Sequence, residues 1–188
     1  MRKGLIVIIV LAVLVLIFFS QYVSTRNTLV SKNESVKSAW SQVDVVLQRR
    51  ADLIPNLVET VKGYAAQEQT VFGDIARARS TLLSAAGPQE KIAANQQLDG
   101  AIGRLLAIVE NYPQLKSSEN FRGLSDELAG TENRIAVARQ DYNNAVNQYN
   151  AYIRRFPQVL TARVTGAKAR AYFQESAGAD TVPRVNFN

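Results

Sequence analysis

The sequence contains no cysteine and no histidine. The first absence excludes disulfides, thiolate nucleophiles and sulfur-based metal sites, and the second excludes imidazole ligands and the most common general base. A catalytic site would have to rely on carboxylates alone, as in glycoside hydrolysis, and Asp44, Asp52 and Glu59 lie in no obvious cleft. We therefore expect a protein that is not an enzyme and that holds no cofactor and no metal.

Glycine and proline are also scarce, with 10 and 5 residues in a chain of 188. Together with 47% apolar and 20% charged residues, this indicates an ordered chain whose soluble part forms one domain. The net charge of +6 would suit nucleic acid or anionic lipid as a partner. The basic residues are dispersed, however, and are not interleaved with aromatic ones, so nucleic-acid binding is not expected.

One long hydrophobic run is present near the N-terminus. Residues 5–19 read LIVIIVLAVLVLIFF, and the segment from Gly4 to Val23 has the roughly 20 residues that a helix needs to cross a bilayer. No A-x-A-like cleavage site follows, so an uncleaved anchor over residues 1–23 is favoured over a signal peptide, with residues 4–23 in lipid. Because Arg2 and Lys3 adjoin the run directly, the N-terminus is predicted to be cytoplasmic and the body extracytoplasmic.

Helical periodicity predicts a bundle over residues 24–157. The first helix, about residues 24–86, has an apolar stripe with steps of three and four residues, and the second covers about residues 89–112 and ends at Pro113. The third, about residues 119–156, begins after capping residues at 117–120 and ends at Pro157. Its apolar positions recur every seven residues, at Phe121, Leu128, Ile135, Tyr142, Tyr149 and Phe156.

Residues 158–188 are expected to form a short helix around residues 162–173 and then an extended tail. The predicted fold class is therefore all-α, with a single N-terminal transmembrane helix followed by an elongated antiparallel bundle of long helices that contains a coiled-coil seam.

The segment RRADLIPNLV, residues 49–58, places charges and a proline inside the first helix. On a helical wheel Arg50 falls in the apolar sector and needs a partner, for which Glu132 is the candidate; Arg139 shares a face with Glu132. One interpretation is an internal salt bridge that fixes helix register, and the alternative is an anion site formed by Arg49 and Arg50. If loss of Glu132 leaves Arg50 buried and unpaired, the expected destabilisation is about 3 to 5 kcal/mol.

Pro55 lacks an N–H, so a kink is predicted near it, with the carbonyl of Ala51 left for Arg49, Asn56 or water and with Asp52 as a candidate cap. On the opposite face of this helix a row of polar residues is available to a partner. It consists of Arg49, Asp52, Asn56 and Glu59.

Two Tyr-Asn pairs, Tyr142-Asn143 and Tyr149-Asn150, lie seven residues apart. They are interpreted as core positions whose hydroxyls bond a polar neighbour such as Asn143 or Asn150. A ligand groove with stacked rings is the alternative.

Three segments of this sequence resemble the LemA family: AWSQVDVVLQRRADLIPNLVETVKGYA, NYPQLKSSENF and GTENRIAVARQDYNNAVNQYNAYIRRFP. The resemblance covers residues 27–157 and implies a bacterial membrane protein with an antiparallel helical-bundle body and no established catalytic residue. The positions that match the family pattern carry no assigned chemistry. They are Arg49, Arg50, Asp52, Pro55, Asn56, Glu132, Arg139, Tyr142 and Asn143.

Two functions are expected from these features. The first is a non-enzymatic scaffold or interaction module of the cell envelope, anchored in the bacterial inner membrane and assembled as a homo-oligomer. The alternative, which rests on the genomic neighbourhood that the resemblance implies, is an adaptor that presents substrates to a membrane protease of the HtpX type or docks another envelope protein.

Overall fold

A computed structural model describes residues 2–173, which form helices joined by turns. The helices are α1 (Arg2–Lys62), α2 (Gln69–Ser84), α3 (Pro88–Val109), α4 (Pro113–Ser117), α5 (Glu119–Arg154) and α6 (Gln158–Val164). No strand occurs between residues 2 and 173. The prediction of an all-α bundle with a long apolar N-terminal helix is confirmed.

The described residues divide into two compact units, and α1 and α5 contribute to both. We call residues 40–141 with residue 173 the core unit, and residues 2–39 with 142–172 the anchor unit. Each unit has its own packing and its own polar contacts.

In the core unit, α1 and α3 run parallel, because Asp44 pairs with Lys91 and, further along both helices, Arg50 pairs with Asp99. α2 and α5 run antiparallel to these helices. The largest fully buried side chains come from all four, and each leucine or isoleucine among them contributes roughly 1.5–3 kcal/mol when it leaves water. They include Leu47, Ile54, Leu57, Ile75, Leu98, Leu105 and Thr131.

In the anchor unit, α1 and α5 also run antiparallel. The hydroxyl of Tyr152 donates to the carbonyl of Thr25 at 3.3 Å, and Lys32 Nζ donates to Gln148 Oε1 at 3.4 Å. Before Thr25, α1 carries the apolar run, whose described side chains are exposed and which is long and apolar enough to cross a membrane. α1 continues from this run into the body without a break.

The prediction of one helix over residues 24–86 is wrong at residues 63–68. α1 ends at Lys62, the chain turns with Tyr64 N and Ala65 N both donating to the carbonyl of Val61, and α2 begins at Gln69. A continuous helix would carry Phe72 about 16 Å beyond Val61, away from the core. The turn after Gly63, a poor helix former, brings it back, and Phe72 is buried.

Two other boundaries differ from the prediction. Pro113 does not end the second helix, because α3 already ends at Val109; it occupies the first turn of α4, where its missing N–H needs no partner. α5 ends at Arg154, two residues before the predicted end, because the residue before Pro157 is disfavoured in the helical conformation. The predicted cap is confirmed, since Phe121 N donates to Ser118 Oγ at 3.2 Å.

The C-terminal helix lies earlier than predicted, at Gln158–Val164 and not at residues 162–173. It ends in a Schellman motif: Gly166 has a φ of 68°, Ala167 N donates to the carbonyl of Ala162 at 2.9 Å, and Gly166 N donates to that of Arg163. Residues 167–173 continue without regular structure. The predicted extended tail at residues 174–188 lies outside the described residues.

Candidate functional site around Arg50

Arg50 is a buried cation in the middle of the core unit, with 7% of its surface exposed. It lies on the face of α1 that also carries Leu47 and Ile54, as the helical wheel predicts. Its Nη1 lies 2.8 Å from Glu132 Oε2 on α5, so the predicted pair is present. The guanidinium therefore holds α1 against α5.

Two further partners come from α3. Arg50 Nη1 lies 2.5 Å from Asp99 Oδ1 and donates to Asn95 Oδ1 at 3.2 Å, and Asn95 Nδ2 in turn donates to Asp99 Oδ2 at 3.1 Å. We call Arg50, Asn95, Asp99 and Glu132 the Arg50 cluster. It joins three helices through one side chain.

Sequence reasoning missed the α3 half of this cluster. Asn95 lies seven residues before Ile102, and it is 4% exposed. A polar residue at a repeat position of an apolar stripe, followed by an acid four residues later, was the available signal.

The electrostatics of the Arg50 cluster are set by burial. Burial raises the pKa of the Asp99 carboxyl above its usual range, and the nearby Arg50 guanidinium opposes this without cancelling it. A raised carboxyl pKa means that the folded state binds the proton more tightly than the unfolded chain does. Asp99 therefore contributes most to the free energy of unfolding when the pH is below the pKa that its carboxyl has in the unfolded chain. This contribution is lost as the pH rises through the pKa that the carboxyl has in the folded protein.

A cavity of about 390 Å³ opens beside the cluster. It is lined by Arg50, Asp99, Ser125 and Glu132 and by apolar groups of α3 and α5, namely Ile102, Gly103, Leu106, Leu128 and Ala129. Arg50 Nε and Ser125 Oγ are buried and make no hydrogen bond. Both atoms therefore remain able to form a hydrogen bond. The chemistry of the Arg50 cluster is that of a cation shared between two carboxylates.

Arg49 does not join Arg50. It is exposed and pairs with Glu127 on α5, whereas Arg50 pairs with Asp99 and Glu132, so the structure does not assemble the two arginines into one anion fork. Asp52, Asn56 and Glu59 are exposed as well. In that row Asp52 Oδ1 accepts from Gln48 Nε2 at 3.0 Å, and Glu59 pairs with Lys62 at 2.9 Å.

α1 continues through Pro55 to Lys62. The carbonyl of Ala51, which Pro55 deprives of its helical donor, accepts from Arg79 Nε on α2 at 2.8 Å. The predicted donors were Arg49, Asn56 or water, and the actual donor comes from a helix that the sequence prediction had fused to α1. Asp52 caps no renewed helix, and the predicted kink stays a prediction.

Tyr142 and Tyr149 are buried in the anchor unit, as the core interpretation predicts. The hydroxyl of Tyr142 donates to the carbonyl of Ala171 at 3.0 Å and not to a neighbouring asparagine. Burial raises the pKa of Tyr142, and Arg170 opposes that shift. Asn150 binds both the N–H and the carbonyl of Arg170, each at 2.8 Å, so these residues fasten the chain after α6 onto α5.

The two other family-like positions lie on α5. In the core unit the guanidinium carbon of Arg139 lies 5.9 Å from the centre of the Phe173 ring, a cation–π distance. Asn143 is half-buried in the anchor unit. Arg139 therefore contributes to packing between α5 and the segment after α6.

Comparison with known proteins adds a family and several relatives. The model of the LemA family matches residues 39–187. The chain is 32% identical to magnetosome protein MamQ 2 of Paramagnetospirillum magneticum, over 95% of this chain and 74% of that protein. It is 29% identical to magnetosome protein MamQ of Magnetospirillum gryphiswaldense over 87% of this chain and 70% of that protein. Protein LemA of Metamycoplasma hominis is 26% identical, over 85% of this chain and 74% of its own length.

Proposed function

The chain belongs to the LemA family, and from this premise we propose that it is a non-enzymatic, membrane-anchored scaffold that self-associates in the bacterial cell envelope. Five of its six heptad positions, Phe121, Leu128, Ile135, Tyr142 and Tyr149, are buried within the chain and only Phe156 is exposed, so we do not place the contact between copies on this seam. The contact must therefore use a surface that the bundle leaves outside.

The observation that carries the proposal is a groove of about 390 Å³ between α1 and α5 in the core unit, which we call the valine groove. It is lined by Gln42, Val46, Asn133, Arg134, Val137, Ala138 and Asp141. Val137 is 61% exposed, and Val45, the neighbour of Val46 in sequence, is 64% exposed. Arg134 and Asp141 carry opposite charges. In a two-fold arrangement, Arg134 of one copy would pair with Asp141 of the other copy.

We expect the full-length protein, extracted in mild detergent, to form a dimer or a larger symmetric particle. Val45→Lys combined with Val137→Lys should convert it to monomers, because lysines in an apolar contact repel one another and lose hydration. Leu83→Lys on α2, an exposed leucine outside the groove, is the matched control and should keep the wild-type mass. Particle mass by light scattering decides between these outcomes.

A monomeric wild-type particle at every concentration would reject the scaffold and favour the adaptor. The adaptor would use the exposed row of Arg49, Asp52, Asn56 and Glu59 to hold a membrane protease of the HtpX type or its substrate. Under that alternative, Asp52→Lys with Glu59→Lys abolishes capture of the partner while the fold is retained.

We propose the inner membrane as the location, with the N-terminus in the cytoplasm and the body outside, because Arg2 and Lys3 adjoin the apolar run while Arg26 and Lys32 lie further from it. Since the chain has no cysteine, Ser41→Cys provides one exposed thiol. We expect a membrane-impermeant maleimide to label it in intact spheroplasts. Labelling that requires lysis, with a permeant maleimide as the control for reactivity, would reverse the orientation.

A further inference from the structure

The anchor unit exposes apolar side chains at the end of α5 and on α6. Phe156 is 80% exposed, Leu160 54% and Val164 76%. Leu160 and Val164 lie four residues apart on α6 and therefore share a face, and Phe156 precedes this helix in the connecting turn. We call these three residues, with Arg154, Arg155 and Arg163, the α6 patch.

The surroundings of the α6 patch carry charge of one sign. Residues 142–173 contain no aspartate and no glutamate. They do contain five basic residues, and all five are exposed: Arg154, Arg155, Arg163, Lys168 and Arg170. A surface of this kind attracts an anionic partner and repels a second copy of itself.

The antiparallel register of α1 and α5 fixes where this surface lies along the anchor. Tyr152 meets the carbonyl of Thr25, which is two residues past Val23, the predicted end of the membrane-crossing segment. Because the helices run in opposite directions, the chain beyond Tyr152 continues toward that segment. Arg154, where α5 ends, is two residues further, so it lies roughly 3 Å closer to the bilayer, about level with Val23, and Phe156 follows it in the turn.

We propose that the α6 patch docks on the same bilayer that α1 enters, with its apolar side chains in the interface and its arginines on the phosphates of anionic lipids. This inference rests on the proposed anchoring of α1. An amphipathic surface with arginines beside exposed aromatic and aliphatic groups is the usual composition of such interfacial contacts. The α6 patch is also continuous with the anchor, so docking costs little additional loss of freedom.

The experiment uses the full-length chain in phosphatidylcholine vesicles with and without phosphatidylglycerol, both carrying brominated acyl chains that quench tryptophan. Leu160→Trp adds a reporter to the single native tryptophan. With the anionic lipid, the added emission should fall about twofold or more, because interfacial side chains reach the boundary of the acyl chains. The matched control is Tyr172→Trp. The hydroxyl of Tyr172 bonds Asn147, which lies about 10 Å along α5 from Arg154 on the side away from the bilayer, so this tryptophan should stay unquenched.

Replacing Arg154, Arg155 and Arg163 with glutamine in the Leu160→Trp chain should weaken docking about 100-fold and abolish the quenching. The chain should still float with the vesicles, since α1 is unchanged. If the Leu160→Trp chain with its arginines intact floats with the anionic vesicles and its added emission is not quenched, docking is overturned while the anchor stands. If the wild-type chain does not float with vesicles, the proposed anchor itself is wrong.

Discussion

Replacing both carboxylates that hold Arg50, by Asp99→Asn together with Glu132→Gln, should lower the free energy of unfolding by about 3 kcal/mol. The neutral side chains keep nearly the same shapes, so the change removes charge and leaves the packing in place. Arg50 then remains buried in the core unit with no carboxylate partner. The effect falls at the low end of the range for broken buried pairs because Glu132 is 55% exposed. Urea unfolding of the full-length protein in mild detergent, followed by circular dichroism, measures it.

A rescue variant separates loss of pairing from damage to the helices. Adding Arg50→Met to the double replacement removes the unpaired cation and should restore most of the lost stability, since buried ion networks can be exchanged for apolar side chains at little net cost. If the triple variant is as unstable as the double, the destabilisation does not come from an uncompensated charge. Glu132→Gln alone should cost only about 1 kcal/mol, because Asp99 and Asn95 still hold Arg50.

Arg79→Ala should destabilise the protein by about 2 kcal/mol. The carbonyl of Ala51 is fully buried, Pro55 offers it no N–H, and Arg79 Nε is the donor that replaces the missing helical one. Deleting Arg79 therefore leaves a buried acceptor without a partner. Arg77→Ala, which removes an exposed arginine from the same helix, is the matched control and should change stability by less than about 0.5 kcal/mol.

The destabilisation caused by Arg79→Ala should depend on Pro55. In a Pro55→Ala background the new N–H of residue 55 donates to the Ala51 carbonyl, so Arg79→Ala should cost less than about 1 kcal/mol there. A double-mutant cycle of these two changes isolates the coupling. Additive changes would show that Arg79 stabilises α2 through its aliphatic stem and not through this hydrogen bond.

Much of the fold could be predicted because it depends on local periodicity. The seven-residue repeat of α5, the Ser118 cap and the stop at Pro157 are patterns within a few residues. The turn at residues 63–68 was missed because the apolar residues Val61 and Ala65 lie four residues apart, which is also the spacing of a continuing helix. The helix ends there because Gly63 is a poor helix former and because Phe72 must return to the core, which is a tertiary requirement. Gly166, which ends α6 in the Schellman motif, is a local signal in the sequence. The apolar pattern around it is too weak to indicate where this helix begins or ends.

The candidate site was predictable only in part, for a related reason. A wheel shows that Arg50 needs a partner, and Glu132 was chosen on a helix whose phase was well defined. Asp99 and Arg79 lie on helices whose alignment with α1 depends on turn lengths, which the apolar pattern does not specify. Predicting a polar contact between helices therefore requires their register, and the sequence defines register well only for α5.

The uninterrupted course of α1 has a mechanical consequence. Membranes differ in hydrocarbon thickness, and a spanning helix adapts mainly by tilting. A helix with a hinge at the membrane surface would absorb that tilt locally. α1 has no break between the apolar run and Thr25, where Tyr152 fastens α5 to it, so a change of tilt is transmitted to the anchor unit. If α1 is anchored as proposed, a change in bilayer thickness therefore reaches the anchor unit as a change in helix tilt.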